Sequence, residues 1–221
     1  MSHHTQTLHT ADGQTISAYV AEPQGKPRGG IVVVQEIFGV NAHIRSVADG
    51  YAAAGYLAIA PAVFDSVQPQ VELNYDAQGV QKGLELVAAL GMDRALAGVL
   101  AAAQAAAVAG KVGVVGFCWG GTIAYLAAIR AGLPAVSYYG GRNVQLVGEP
   151  AKGPLQFHYG LRDAHISAAD REAVRAANPT AEFYVYDADH GFNCDARPSY
   201  DAAAARLARE RALAFFAKHV G

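Results

Sequence analysis

The stretch Lys111-Val112-Gly113-Val114-Val115-Gly116-Phe117-Cys118-Trp119-Gly120-Gly121 decides how this chain folds. Its first half is an apolar, β-branched run of the kind that forms a buried strand. The residues that follow, Thr122 to Arg130, read as a helix ending at Gly132. Between strand and helix lies G-x-C-x-G. A turn this sharp raises its middle side chain above the sheet edge. The residues two before and two after must be small, because their backbones nearly collide. Gly116 and Gly120 meet that need, which makes Cys118 a candidate nucleophile. The same turn can also bury an inert cysteine, so the surrounding pattern has to decide.

Outward from this stretch, β and α signals alternate. Thr15 to Ala21 alternates like an edge strand and pairs in a hairpin with Gln6 to Thr10 across Asp12-Gly13. Gly30 to Gln35 is a buried strand, and Asn41 caps a helix running to Ala54 and closed by Gly55. A strand covers Tyr56 to Ala60 and stops at Pro61, and residues 61–74 form a loop. Helices are predicted near 75–90 and 93–109, the second rich in alanine. After the central turn come strands at Ala135 to Tyr139, Leu155 to Tyr159 and Ala181 to Tyr186, with helices at 168–177 and 199–219. With no repeat, linker or composition break, the expectation is a single α/β domain over 1–221 with a mostly parallel sheet.

Composition excludes several classes. The chain has 221 residues, 17 basic and 19 acidic, for a net charge of -2, which gives no electrostatic case for nucleic acid or an anionic membrane. Its two cysteines, Cys118 and Cys194, suggest neither a disulfide framework nor a CxxC metal site, so no metal or cofactor is expected. Residues 1–20 carry no apolar leader and no run approaches a membrane span, so the expected location is the cytoplasm. His3 and His4 sit in a polar start and are expected to be unstructured.

In a parallel sheet, chemistry collects at the carboxyl ends of the strands. Cys118 ends one strand. Asp163 follows Leu155 to Tyr159, His190 follows Ala181 to Tyr186, and Glu36 ends Ile31 to Gln35. Nucleophile, acid and histidine in that chain order match α/β-hydrolases. Asp163 is preferred over the loop acids Asp187 and Asp189, because a carboxylate must approach the ring from the side opposite the nucleophile and a separate loop does this more readily. His158 and His165 read as satisfied structural groups, His43 and His219 as surface residues on helices, and Cys194 as a loop thiol. Glu36 can alternatively serve only to accept backbone hydrogen bonds at a strand end.

Gln35-Glu36-Ile37-Phe38-Gly39, the Cys118 turn and Asp189-His190-Gly191-Phe192 together resemble the dienelactone hydrolase family (carboxymethylenebutenolidases) of the α/β-hydrolase fold, over nearly the whole chain. The resemblance implies a Cys118–His190–Asp163 triad. It implies a Glu36 that pairs with the resting thiol and helps deprotonate it, and an oxyanion hole from the backbone N–H groups of Ile37 and Trp119. Family members clamp the substrate carboxylate with two arginines. Here the corresponding helix offers only Lys82, and the position four after the histidine is Cys194, with Arg197 nearby. Lys82 is a point charge without the bidentate fork. Without a matching clamp, neutral activated esters are expected to compete with carboxylated lactones.

A cysteine nucleophile narrows the substrate on its own. A thiol has a pKa of about 8.5, against about 15.7 for water and nearly as high for ordinary alcohols. From an alkyl ester the tetrahedral intermediate therefore expels the thiolate and reverts. Enol lactones, phenyl esters and thioesters can expel their own group instead. Phe38, Phe64, Trp119 and Phe192 suggest a partly aromatic pocket, or equally core. The expected function is hydrolysis of activated esters or enol lactones, substrates that are small molecules, with the oligomeric state open. Alternatives are a broad esterase or thioesterase, which could extend to activated phosphotriesters, and a redox-sensing or ligand-binding thiol on an inactive scaffold.

Overall fold

A computed structural model describes residues 2–221. Its strands are β1 (Ser2–His9), β2 (Thr15–Glu22), β3 (Gly30–Val34), β4 (Leu57–Pro61), β5 (Val112–Phe117), β6 (Ala135–Tyr138), β7 (Leu155–Gly160) and β8 (Glu182–Tyr186). The helices are α1 (Ala42–Ala53), α2 (Ala77–Leu90), α3 (Met92–Ala106), α4 (Trp119–Ala131), α5 (Ala168–Ala177) and α6 (Ala202–His219). The strands form one sheet in the order β1-β2-β4-β3-β5-β6-β7-β8. β1 and β2 form the expected hairpin and β2 runs antiparallel to β4; every other pairing is parallel.

β3, β4 and β5 are buried along their whole length, which is why they read as continuous apolar runs rather than alternating ones. Helices cover both faces. On one, Tyr51 of α1 meets Phe216 of α6 edge-on at 5.8 Å, and Arg209 donates to the Gly50 carbonyl at 2.7 Å. On the other, α3 and α4 pack together against the sheet centre. Side chains set the helix starts: Asn41 accepts from the Ile44 N–H, Asp76 from Gly79 and Asp201 from Ala204, while Ser167 and Asp170 form a capping box.

Three local expectations change. β1 begins at Ser2, so His3 and His4 are strand residues, opposite Ala21 and Val20; cross-strand pairing orders a polar segment that shows no signal of its own. The loop 61–74 contains a 3₁₀ turn at Val63–Ser66 whose Val63 and Phe64 are buried. Met92–Ala109 is apolar enough over 18 residues to resemble a membrane span, contrary to the sequence reading. In the fold α3 lies against β3, β4 and α4, with Ala95, Val99, Ala102 and Ala106 buried.

α2 lies over the carboxyl ends of the strands. Gly83 lets it do so: a Cβ there would collide with the Ile37 carbonyl oxygen and stand 3.0 Å from the Ile37 Cβ. The segment after β3 is thus roofed by α2, forming one wall of the site.

Candidate active site

Cys118 sits between β5 and α4 with φ 53° and ψ -121°, a backbone region costly for a side-chain-bearing residue. Its N–H is held by the Tyr138 carbonyl at 3.0 Å, and its own carbonyl accepts from Gly121 at 2.9 Å. Both flanking glycines are required. A Cβ on Gly116 would meet the Gly120 carbonyl, and one on Gly120 would meet the Gln35 carbonyl and lie 2.6 Å from that of Val34. The strained turn points the thiol at the ring of His190, with Sγ 3.2 Å from Nε2.

On the far side of the ring, Nδ1 lies 2.7 Å from Oδ2 of Asp163, whose side chain is fully buried. The other Asp163 oxygen accepts the His165 N–H at 2.8 Å, which fixes the carboxylate in its loop after β7. Asp187 and Asp189 turn outward and pair with Arg162. Burial alone would lower the pKa of His190. The charge of the Cys118 sulfur and the Asp163 hydrogen bond outweigh it and hold the ring at about 10. Both influences favour the protonated ring, whose Nε2 faces Sγ and whose Nδ1 faces the carboxylate.

Glu36 is placed differently from the arrangement the resemblance implies. Its carboxylate is buried and pairs through Oε1 with Arg197 Nη1 at 3.3 Å, rather than with the thiol, whose partner is His190. Oε2 has no partner among the described residues. Arg197 also lies over the rings of Phe38 and Tyr75, at 5.8 and 5.7 Å.

A cavity of about 320 Å³ opens over the thiol. Ile37, Phe38, Val80, Leu84, Val87 and Trp119 form its apolar side; Cys118, His190, Gly141, Arg142, His165 and Arg197 complete it. A larger cleft of about 610 Å³, between the end of α6 and the segment before β7, is lined by neither cysteine nor serine.

Several sequence expectations are corrected here. Lys82 does not line the cavity. Phe192 is fully buried among Tyr138, Tyr139 and Tyr186, because the turn at Gly191 sends it beneath the site. Phe64 is also core, stacked on Trp119 at 5.6 Å. His165, expected to be a satisfied structural group, is exposed and meets the His190 ring edge-on at 5.0 Å. His43 is buried rather than on the surface, its Nδ1 2.9 Å from Asp195. His158 is internal as expected, between Tyr186 Oη and Gln156 Oε1, and burial drives its pKa down to about 3. Cys194 is a buried thiol pushed up to about 11 by burial and by the Glu36 charge, which suits it poorly to attack. Among the described residues, His43, Cys194 and Asp195 bring three potential metal-ligand atoms within 4.8 Å of one another.

Two residues near the site carry no expectation from the sequence. Tyr139 is buried with φ 37° and packs its ring 5.0 Å from that of His190. Arg142 follows Gly140-Gly141 just past β6, so it too lies beyond the carboxyl end of a strand, and applying that rule to β6 would have flagged it.

Comparison with known proteins agrees with this site. The model of the dienelactone hydrolase family matches residues 16–220. A carboxymethylenebutenolidase of Pseudomonas putida is 35% identical over 223 residues, covering 96% of this chain and 94% of its own. A provisionally assigned dienelactone hydrolase of Klebsiella pneumoniae superposes with a TM-score of 0.83 at 33% identity, covering 99% of this chain and all of its own. A dienelactone hydrolase-like promiscuous phosphotriesterase from metagenomic libraries superposes at 0.79, full coverage and 21% identity, a likeness of fold. Similarity of this extent, in sequence and in backbone alike, shows that the chain belongs to the dienelactone hydrolase family and is a carboxylic ester hydrolase.

Proposed function

We propose that the protein hydrolyses activated carboxylic esters or enol lactones through an acyl-thioester on Cys118. The observation that carries this reading is the unbroken chain of contacts from Cys118 Sγ through both nitrogens of His190 to Asp163. The thiolate attacks the acyl carbon, and the resulting oxyanion is received by the backbone N–H groups of Ile37 and Trp119. Collapse of this intermediate breaks the bond to the leaving oxygen, which takes the proton held by His190. A water then gives its proton to His190 and attacks the thioester. The acid leaves and the thiolate is restored. Asp163 keeps the ring in the tautomer that both halves need. Glu36, next to Ile37, holds through its pair with Arg197 the segment that presents the Ile37 N–H.

The favoured substrates have leaving groups better than a thiolate, because a thiol is ordinarily far more acidic than an alcohol. We place this reaction on small molecules in the cytoplasm. Turnover of 4-nitrophenyl acetate tests the reading: wild type should turn the ester over many times, with a burst of one nitrophenolate per chain if deacylation is the slower half. Cys118→Ala should abolish turnover. Full activity in that variant would refute the mechanism, and a wild type inert towards every activated ester would favour a sensing or binding thiol instead.

A further inference from the structure

A second group of reactive side chains lies outside the cavity over Cys118, where α1 meets the segment between β8 and α6. His43 comes from α1, Cys194 and Asp195 from that segment, and a ring nitrogen, the sulfur and a carboxylate oxygen lie within 4.8 Å of one another. His43 and Asp195 stand 152 positions apart in the chain, which is why no spacing in the sequence marks the group. Three features go beyond proximity. The Cys194 sulfur is fully buried and receives hydrogen bonds from the Tyr75 hydroxyl and the Ala196 N–H, and Asn41 orients Tyr75 by donating to its Oη at 3.1 Å. Donors of this kind favour a thiolate and form the outer contacts of a metal-bound one. The His43 ring is 5% exposed; Nδ1 faces Asp195 Oδ1 at 2.9 Å, and Nε2 has no hydrogen-bond partner among the described residues. A buried nitrogen left in this way is the mark of a ring that an ion or water completes. Finally, a cavity of about 360 Å³ lined by His43, Asn193, Asp195 and Tyr200 gives access from solvent, and Asp195 itself is 65% exposed. The arginines of that cavity are engaged elsewhere, Arg206 with Glu210 and Arg209 with the Gly50 carbonyl.

We propose that His43, Cys194 and Asp195 form a binding site for a thiophilic divalent cation, zinc by preference, with a water from the cavity as fourth ligand. Sulfur and imidazole together select against magnesium and calcium, which take oxygen ligands, and a mixed sulfur, nitrogen and oxygen set of four suits tetrahedral zinc. The His43 nitrogen and the Asp195 oxygen, 2.9 Å apart, open to about 3.3 Å around such an ion, a small movement for an exposed carboxylate on a loop. As the sulfur–metal bond forms, the thiol proton passes to water. The bound ion ties α1 to the segment that starts just after His190 and carries Arg197, so its effect is on the stability of the fold. This inference stands apart from the ester-hydrolase reading and needs no step of that chemistry.

Cobalt(II) is the probe, because its spectrum reports both sulfur ligation and coordination number. The test is run in Cys118→Ala, which leaves Cys194 as the only cysteine and keeps the catalytic thiol from competing for the metal. After treatment with a chelator, this variant should bind one Co²⁺ per chain, with a thiolate-to-cobalt charge-transfer band and the strong visible bands of a four-coordinate ion. Zn²⁺ should displace the cobalt and raise the melting temperature. Adding Cys194→Ala should abolish the charge-transfer band and the zinc-dependent rise. Adding His43→Gln or Asp195→Asn should weaken Co²⁺ binding at least about tenfold. Asp195 is exposed, so its replacement keeps the test decisive if either buried residue proves necessary for folding. Absence of the charge-transfer band in Cys118→Ala would overturn the inference, as would an affinity that Asp195→Asn leaves unchanged. Metal binding without that band would assign the ion to histidines elsewhere and overturn it equally.

Discussion

Replacing Arg197 by methionine isolates the ion pair behind the segment proposed to receive the oxyanion. Glu36 is 1% exposed, and Arg197, 19% exposed, is its partner at 3.3 Å. Methionine keeps most of the aliphatic packing over Phe38 and Tyr75 but strands the carboxylate. Removing one member of a buried pair costs about 3–5 kcal/mol. The ceiling here is lower, because the carboxyl can escape by taking a proton. At pH 7 that costs an ordinary glutamic acid about 3.7 kcal/mol, and at pH 5 about 1 kcal/mol. Arg197→Met should therefore be about 3–4 kcal/mol less stable than wild type at pH 7 and only about 1 kcal/mol less stable at pH 5. The sign follows from linkage: the stranded carboxyl binds its proton more tightly when folded, so the deficit grows as pH rises. Urea unfolding at the two pH values measures it, and Glu36→Gln/Arg197→Met should recover most of the loss. A deficit under 1 kcal/mol at pH 7, or one that does not change with pH, would show that the pair is not the sole compensation of Glu36.

Other consequences are equally direct. Asp163→Asn should fold and lose about 10²–10⁴-fold in kcat, while Asp187→Asn and Asp189→Asn stay near wild type; greater damage at either loop acid would reassign the carboxylate. His158, held neutral with a pKa of about 3, contributes stability that is full above its unfolded value near 6.5 and is lost as pH falls towards 3. Stability should thus decline at up to about 1.4 kcal/mol per pH unit across that window, on top of the loss from carboxylates, and a His158→Gln variant that keeps its fold should show a shallower decline. Gly120→Ala drives a methyl group into the Gln35 and Val34 carbonyls and should cost about 1–3 kcal/mol, with activity falling as the turn shifts.

Sequence legibility tracked how local the controlling physics is. The turn at Cys118 was readable because its constraint is steric and falls on Gly116 and Gly120 within the same few residues. The strands β3 to β7 were readable from their apolar runs, and helix starts such as Asn41 from their caps. The strand ends alone put Cys118, Asp163 and His190 in one crevice. What escaped depends on partners distant in sequence. His43 is buried because Asp195, over a hundred residues away, meets it. Phe192 shares a motif with His190 yet turns into the core at Gly191. Glu36 could be placed beside the site, but its engagement by Arg197 rather than by the thiol is set by how a far loop packs. Arg142 carries the strand-end signal after β6, but whether such a residue lines the cavity depends on how the loop after β6 packs.

The central claim is that Cys118 carries the acyl group. Rapid quenching at acid pH during turnover of a 4-nitrophenyl ester, followed by intact-mass and peptide mass spectrometry, tests it most directly. One acyl adduct per chain, located on Cys118, absent from Cys118→Ala and accumulating in a variant slowed in deacylation, is the expected result. An adduct on Cys194 alone, or undiminished turnover in Cys118→Ala, would contradict the account.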